Sequence, residues 1–154
     1  MIKTELIKQL LDKLIAEVHH SETQWLTIPK YFETNKNEPL RRFIIDNNKY
    51  AYSENHPLKL VRDNSPLIIS EYRSRCIAIE GGVITLLVFQ GCSNDKYALA
   101  IQTNDTAGVT ILQCDDNQKT QLQELAEIIE NEQYEVMKFI NRIVEKSGNE
   151  SING

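Results

Sequence analysis

The chain has 154 residues, a mass of 17.7 kDa, 41% hydrophobic and 25% charged residues, and a formal net charge of −5. The apolar share is too high for a disordered chain at this charge, and the length fits one domain with its own core. A pI of about 5.2 argues against a general nucleic-acid binder, and no apolar run approaches the roughly 20 residues that span a bilayer.

Lys3, Glu5, Lys8, Asp12, Lys13 and Glu17 interrupt the N-terminal segment, so it lacks the apolar core of a secretory signal. A cytoplasmic protein is expected, without membrane attachment. The three widely spaced cysteines, Cys76, Cys92 and Cys114, do not form a disulfide framework. Charge is uneven: residues 36–75 carry a net +3 and residues 115–154 a net −5.

In residues 2–19 the apolar positions Leu6, Ile7, Leu10, Leu11, Leu14, Ile15 and Val18 follow helical spacing. They cover about half of the helix circumference, a stripe wide enough to pack on a sheet. Residues 25–32 read as a strand, with Pro29 placing it at an edge. Thr34 to Pro39 reads as a polar loop. Residues 41–53 suggest a hairpin, in which Phe43, Ile44 and Ile45 turn at Asp46, Asn47 and Asn48 and return through Tyr50 to Tyr52. Ser65-Pro66 is good helix-start chemistry, so residues 65–75 are read as a short helix rather than a strand.

Residues 76–114 alternate short apolar runs with turn chemistry at Gly81-Gly82, Gly91 to Lys96 and Asn104 to Gly108. This is the pattern of an antiparallel meander. Val83 to Phe89 is apolar on both faces and is expected at its centre. Tyr97, Leu99 and Ile101 offer one apolar face, and Ala98, Ala100 and Gln102 a small or polar one.

Residues 116–146 read as one long helix, opened by a capping box of Asp115 and Gln118. Leu122, Leu125, Ile129, Val136, Ile140 and Ile143 share one side of its wheel. Residues 147–154 read as a disordered tail. The expected fold is thus α+β: a single domain over residues 1–146, with an antiparallel sheet packed against long N- and C-terminal amphipathic helices.

No motif fixes an activity. His19, His20 and Glu22 sit at a helix end, but adjacent histidines point about 100° apart and do not share a metal easily. Their simplest role is a solvated terminus, and no metal or cofactor is expected. Cys92 lies in a loop but needs a cationic neighbour to become a nucleophile, and neither His19 nor His56 is placed beside it by sequence. Cys76 and Cys114 read as small buried hydrophobes. Asp115-Asp116 is a helix start, and Glu80 a turn residue. Arg41, Arg42, Arg62, Arg73 and Arg75, with Tyr31, Tyr50, Tyr52 and Tyr72, suit an anionic ligand or an acidic protein, against the plainer reading of scattered surface charge.

Glu124, Glu127, Glu130, Glu132 and Glu135 fall within twelve residues with no Lys or Arg between them. They are the candidate partner-binding face, against the plainer reading of a solvated helix. The first functional expectation is therefore a non-enzymatic, acidic inhibitor or immunity-type protein that occludes a basic surface on a toxin or enzyme. A second follows from layout: the order helix, strands, short helix, strands, long helix resembles that of class I type III secretion chaperones. The resemblance implies a homodimer holding an unfolded segment of a secreted effector along apolar grooves. A third is a small enzyme or ligand-binding domain with a pocket around Arg73, Arg75, Glu80 and Cys92.

Overall fold

The computed structural model describes residues 2–18, 24–49, 68–90, 95–105, 108–131 and 134–153, with backbone alone for 47–49 and 147–153. Among these residues an α+β fold is formed by five helices and a six-stranded antiparallel sheet. In chain order they are α1 (Thr4–Glu17), β1 (Leu26–Thr27), α2 (Ile28–Thr34), α3 (Glu38–Lys49), β2 (Ile68–Ile69), β3 (Arg75–Ile79), β4 (Gly82–Gln90), β5 (Lys96–Thr103), β6 (Thr110–Ile111), α4 (Asp116–Glu130) and α5 (Tyr134–Asn153).

The meander forms as its turn chemistry requires, with spatial order β1-β3-β4-β5-β6 and β2 pairing with β4 beyond β3. Gly81 takes φ +92° at the β3–β4 turn, a conformation that costs glycine nothing. β4 is the central strand: it pairs with β3 through Arg75↔Leu86 and with β5 through Leu86↔Leu99. Its residues Ile84 to Phe89 are all buried.

Alternation along β4 and β5 divides the core in two. Ile84, Leu86 and Leu99 meet Leu11 of α1 and Leu122 and Leu125 of α4 on one face. Leu87, Phe89, Ala98 and Ala100 meet Tyr31 of α2 and Leu40 and Ile44 of α3 on the other. The small face of β5 therefore belongs to the core that α2 and α3 cover.

Residues 25–32 hold only a two-residue strand before α2, and residues 41–49 belong to α3 rather than to a hairpin. Both corrections have the same local cause. The Thr27 hydroxyl accepts from the Lys30 N–H (3.3 Å), and the Asn37 side-chain Oδ1 accepts from the Leu40 N–H (3.2 Å). Each is an N-cap, and each is followed by a proline, Pro29 or Pro39, in the first helical turn, where its missing N–H costs nothing. Leu40 and Ile44 then bury at i, i+4 spacing. Asn37 also exchanges hydrogen bonds with Gln102 at the end of β5 (2.6 and 2.8 Å), which ties α3 to the sheet. Residues 50–53 of the expected hairpin lie outside the described residues.

Three further expectations change. Ile68 and Ile69 form β2, paired with Gln90 and Phe89, in place of a short helix over 65–75; Ser65 to Leu67 lie outside the described residues. The long C-terminal helix is two helices, α4 and α5, because α4 ends at Glu130. Its start is as read: Asp115 and Gln118 cap each other (2.8 and 3.0 Å), and the Gln118 amide donates to the Thr4 carbonyl of α1 (2.9 Å). Finally, α5 runs on to Asn153, through the segment read as a disordered tail.

Candidate functional site

Of the five glutamates four are described, and they stand in different surroundings. Glu124 and Glu127 are exposed on α4, with no ion pair among the described residues; Glu127 accepts a hydrogen bond from Gln123 (3.0 Å). Glu130 turns inward and takes Arg73 in a fork of two bonds (3.1 and 3.2 Å). Asp95 holds the same guanidinium at 2.8 Å. Glu135 is exposed on α5, near enough to Arg75 to attract it. Glu132 lies outside the described residues.

Arg73 is thus a clamp joining the turn before β3, the start of β5 and the end of α4. Its charged form is strongly favoured because two carboxylates oppose the cost of burial. Arg75 donates to the backbone carbonyls of Tyr72 and Ser74, and burial lowers its pKa. Arg41 lies over the Phe32 ring at 4.5 Å. Arg41 and Arg42 are thus exposed on α3, while Arg73 and Arg75 stand together at the start of β3, where Arg73 is ion-paired within the molecule. Arg62, Tyr50, Tyr52, Cys92, His19, His20, Glu22 and His56 lie outside the described residues. Glu80 is exposed at the β3–β4 turn. Among the described residues no cluster of three His, Cys, Asp or Glu is arranged to hold a metal, and no helix is long and apolar enough to cross a membrane.

Cys76 and Cys114 are free thiols. Burial in the second core pushes the Cys76 thiol up to about 11, against a small opposing contribution from Thr85 Oγ1 (3.5 Å). Burial also pushes the Tyr134 hydroxyl up to about 12. Both groups ionise more readily in the unfolded chain, so the unfolded state releases protons first as pH rises. Stability should be insensitive to these groups below pH 9 and should fall between pH 9 and 12. Urea midpoints measured across that range should decline, and Cys76→Ala should flatten the decline between pH 9 and 11. An equal slope in Cys76→Ala would assign the loss to other groups.

Two adjoining grooves lie beside α1. The first, of 380 Å³, lies between the N-terminal half of α1 and the β3–β4 turn, and is lined by Leu6, Leu10, Ile79, Val83, Ile101 and Leu112. Leu6 and Ile79 are more than half exposed there (59% and 52%). A Cβ on Gly82 would overlap the Gln102 carbonyl oxygen, so the glycine keeps β4 tight against β5 at the groove floor. The second groove, of 430 Å³, shares Ile2, Ile7 and Leu112 with the first and runs beside β6.

β6 ends the strand order, and no described strand pairs with its outer side. The Leu112 N–H donates inward to Leu99 (2.9 Å), so by alternation the N–H groups of Ile111 and Gln113 point outward. The second groove thus has helix α1 along one wall and, along the other, a sheet edge that no described strand covers.

Residue-by-residue motif reading missed this site because it contains no motif. Its one sequence signal is the width of the α1 stripe. Ile7, Leu11 and Val18 are buried, Leu10, Leu14 and Ile15 pack partly against the same core, and Leu6 is left exposed. No protein-family model, curated protein or solved structure matches this chain.

Proposed function

We propose that the chain is a protein-binding domain that takes an extended apolar segment of another protein as an added strand on β6. The observation that carries this reading is the pairing of an open backbone edge with an apolar groove. Strand addition draws affinity from main-chain hydrogen bonds and specificity from pockets for alternate side chains, and this groove supplies both. Among the described residues, the lining of the first groove carries no Lys or Arg and one carboxylate, Glu80, which suits apolar side chains. Holding an apolar segment is the role expected of a chaperone. The secretion-chaperone layout itself loses support, because two helices stand between β1 and β2 and the C-terminal helix is broken. Free thiols at Cys76 and Cys114 suit a reducing, cytoplasmic setting.

The test is selection from phage-displayed random dodecapeptides on the immobilised protein. Enrichment of Leu-, Ile-, Val- and Phe-rich sequences is expected. Leu6→Asp should abolish it through the groove, and Gln113→Pro should weaken it through the open edge. Both side chains are exposed, so circular dichroism should be unchanged. No enrichment, or enrichment indifferent to both variants, overturns the reading.

The inhibitor reading keeps a narrower footing in Glu124 and Glu127, which face outward from α4 without a cation among the described residues. It requires capture of a basic protein at low salt that Glu124→Gln with Glu127→Gln removes. A selection dominated by Lys- and Arg-rich peptides would favour it over strand addition.

A further inference from the structure

One face of α5 is apolar and exposed. Val136, Phe139, Ile140, Ile143 and Val144 are 49–62% exposed, while Tyr134 and Lys138 turn inward. At 100° per residue the five span about 140° of the helix. A stripe of this size on a helix surface marks an interaction site.

The charges beside the stripe point to its occupant. Glu135, Arg142 and Lys146 are all exposed and fall within about 40° of one another, on the flank next to Phe139. The acid stands at the N-terminal end of the stripe and the two bases at its C-terminal end. The opposite flank carries the uncharged Met137 and Asn141. When two copies of a helix pack antiparallel, each flank meets the same flank of its partner with the direction reversed. One acid-to-base flank is then complementary to itself.

We propose that α5 pairs antiparallel with α5 of a second copy, about a two-fold axis near Ile140. Val136 of one copy is then level with Val144 of the other, and Ile140 meets its own equivalent. Glu135 comes opposite Lys146 and Arg142 at both ends. A two-fold contact of this kind is isologous, so every favourable pair is made twice. Antiparallel helix dipoles act in the same direction. A parallel pairing would set this flank against the uncharged one and give the three charges no partner across the seam. The contact lies on a different element from the β6 groove, so each copy in the dimer keeps its groove, and the proposal does not depend on strand addition.

Sedimentation velocity over a range of concentrations tests it. The wild-type chain should sediment at twice 17.7 kDa and dissociate on dilution. Ile140→Asp, at an exposed position, should sediment as a monomer with unchanged circular dichroism. The decisive variants are charge exchanges. Glu135→Lys alone, and Arg142→Glu with Lys146→Glu alone, should each be monomeric because their flanks repel themselves. Mixed one to one, they should associate at least tenfold more tightly than either does with itself. A wild-type monomer at all concentrations, a dimer that survives Ile140→Asp, or no gain on mixing the exchanged pair would each overturn the proposal. A wild-type monomer would also assign the stripe to a different occupant.

Discussion

Replacing Phe89 by alanine should cost about 3–5 kcal/mol of unfolding free energy, the range for removing a fully buried aromatic side chain. Phe89 has no exposed surface. It lies near the end of the central strand, between Ile69 of β2 and Lys96 of β5, and packs in the core shared with α2 and α3. The cavity would open where two helices and three strands meet, so few neighbours can move in to fill it. Against a typical stability of about 5–15 kcal/mol, that loss brings the chain close to unfolding at physiological temperature. Phe139 supplies the contrast. It is the same residue type at 61% exposure on α5, and Phe139→Ala should change the unfolding free energy of the monomer by less than about 0.5 kcal/mol. Urea denaturation of both variants, held monomeric by Ile140→Asp, checks the pair. Equal losses would mean that the α5 stripe is packed against its own domain.

Arg73→Met should cost about 1–3 kcal/mol, which is large for a residue near the surface. The guanidinium spends three donors on Glu130 and Asp95, and the three side chains are only 24–34% exposed. Removing it leaves two half-buried carboxylates without their cation. An exposed pair such as Lys8 with Asp12 contributes far less, because water screens both ends. A double-mutant cycle with Glu130→Gln isolates the contribution: the double variant should be destabilised by clearly less than the sum of the single ones. Strict additivity would show that the fork contributes nothing beyond its separate contacts. Because the clamp joins α4 to the sheet, the loss should be accompanied by faster amide exchange at the C-terminal end of α4.

That clamp also explains why the acidic segment looked more uniform in sequence than it is in space. From Glu124 to Glu135 the charges recur without a nearby base in the chain, so they read as one face. Arg73 comes from fifty-seven residues away to meet Glu130, and a contact across that separation leaves no mark in local spacing. The break after Glu130 then places Glu135 on a different helix, near Arg75.

The C-terminal stripe behaved similarly. Leu122, Leu125, Ile129, Val136, Ile140 and Ile143 share one helical face if the helix is continuous. The first three are buried and the last three are about half exposed. Periodicity identified every one of them as apolar-facing. It carried no information on whether the core, or nothing among the described residues, lies opposite.

The sequence by itself determined the elements whose signals are local. α1 follows from seven apolar residues at helical spacing, and β3 to β6 from strands punctuated by glycine and asparagine turns. The centrality of β4 follows from a run apolar on both faces, and the start of α4 from reciprocal capping by Asp115 and Gln118. Only the tertiary structure decided the rest. The caps at Thr27 and Asn37 that start the two helices of Ile28 to Lys49 are local signals, but the burial of Tyr31, Leu40 and Ile44 against the second face of the sheet is tertiary. The groove beside β6, the spent charge of Glu130 and the open face of α5 are likewise tertiary. The physical reason is common to all of these. Spacing along the chain reports which side of an element is apolar or charged. What covers that side, or leaves it open, is set by residues far away in sequence.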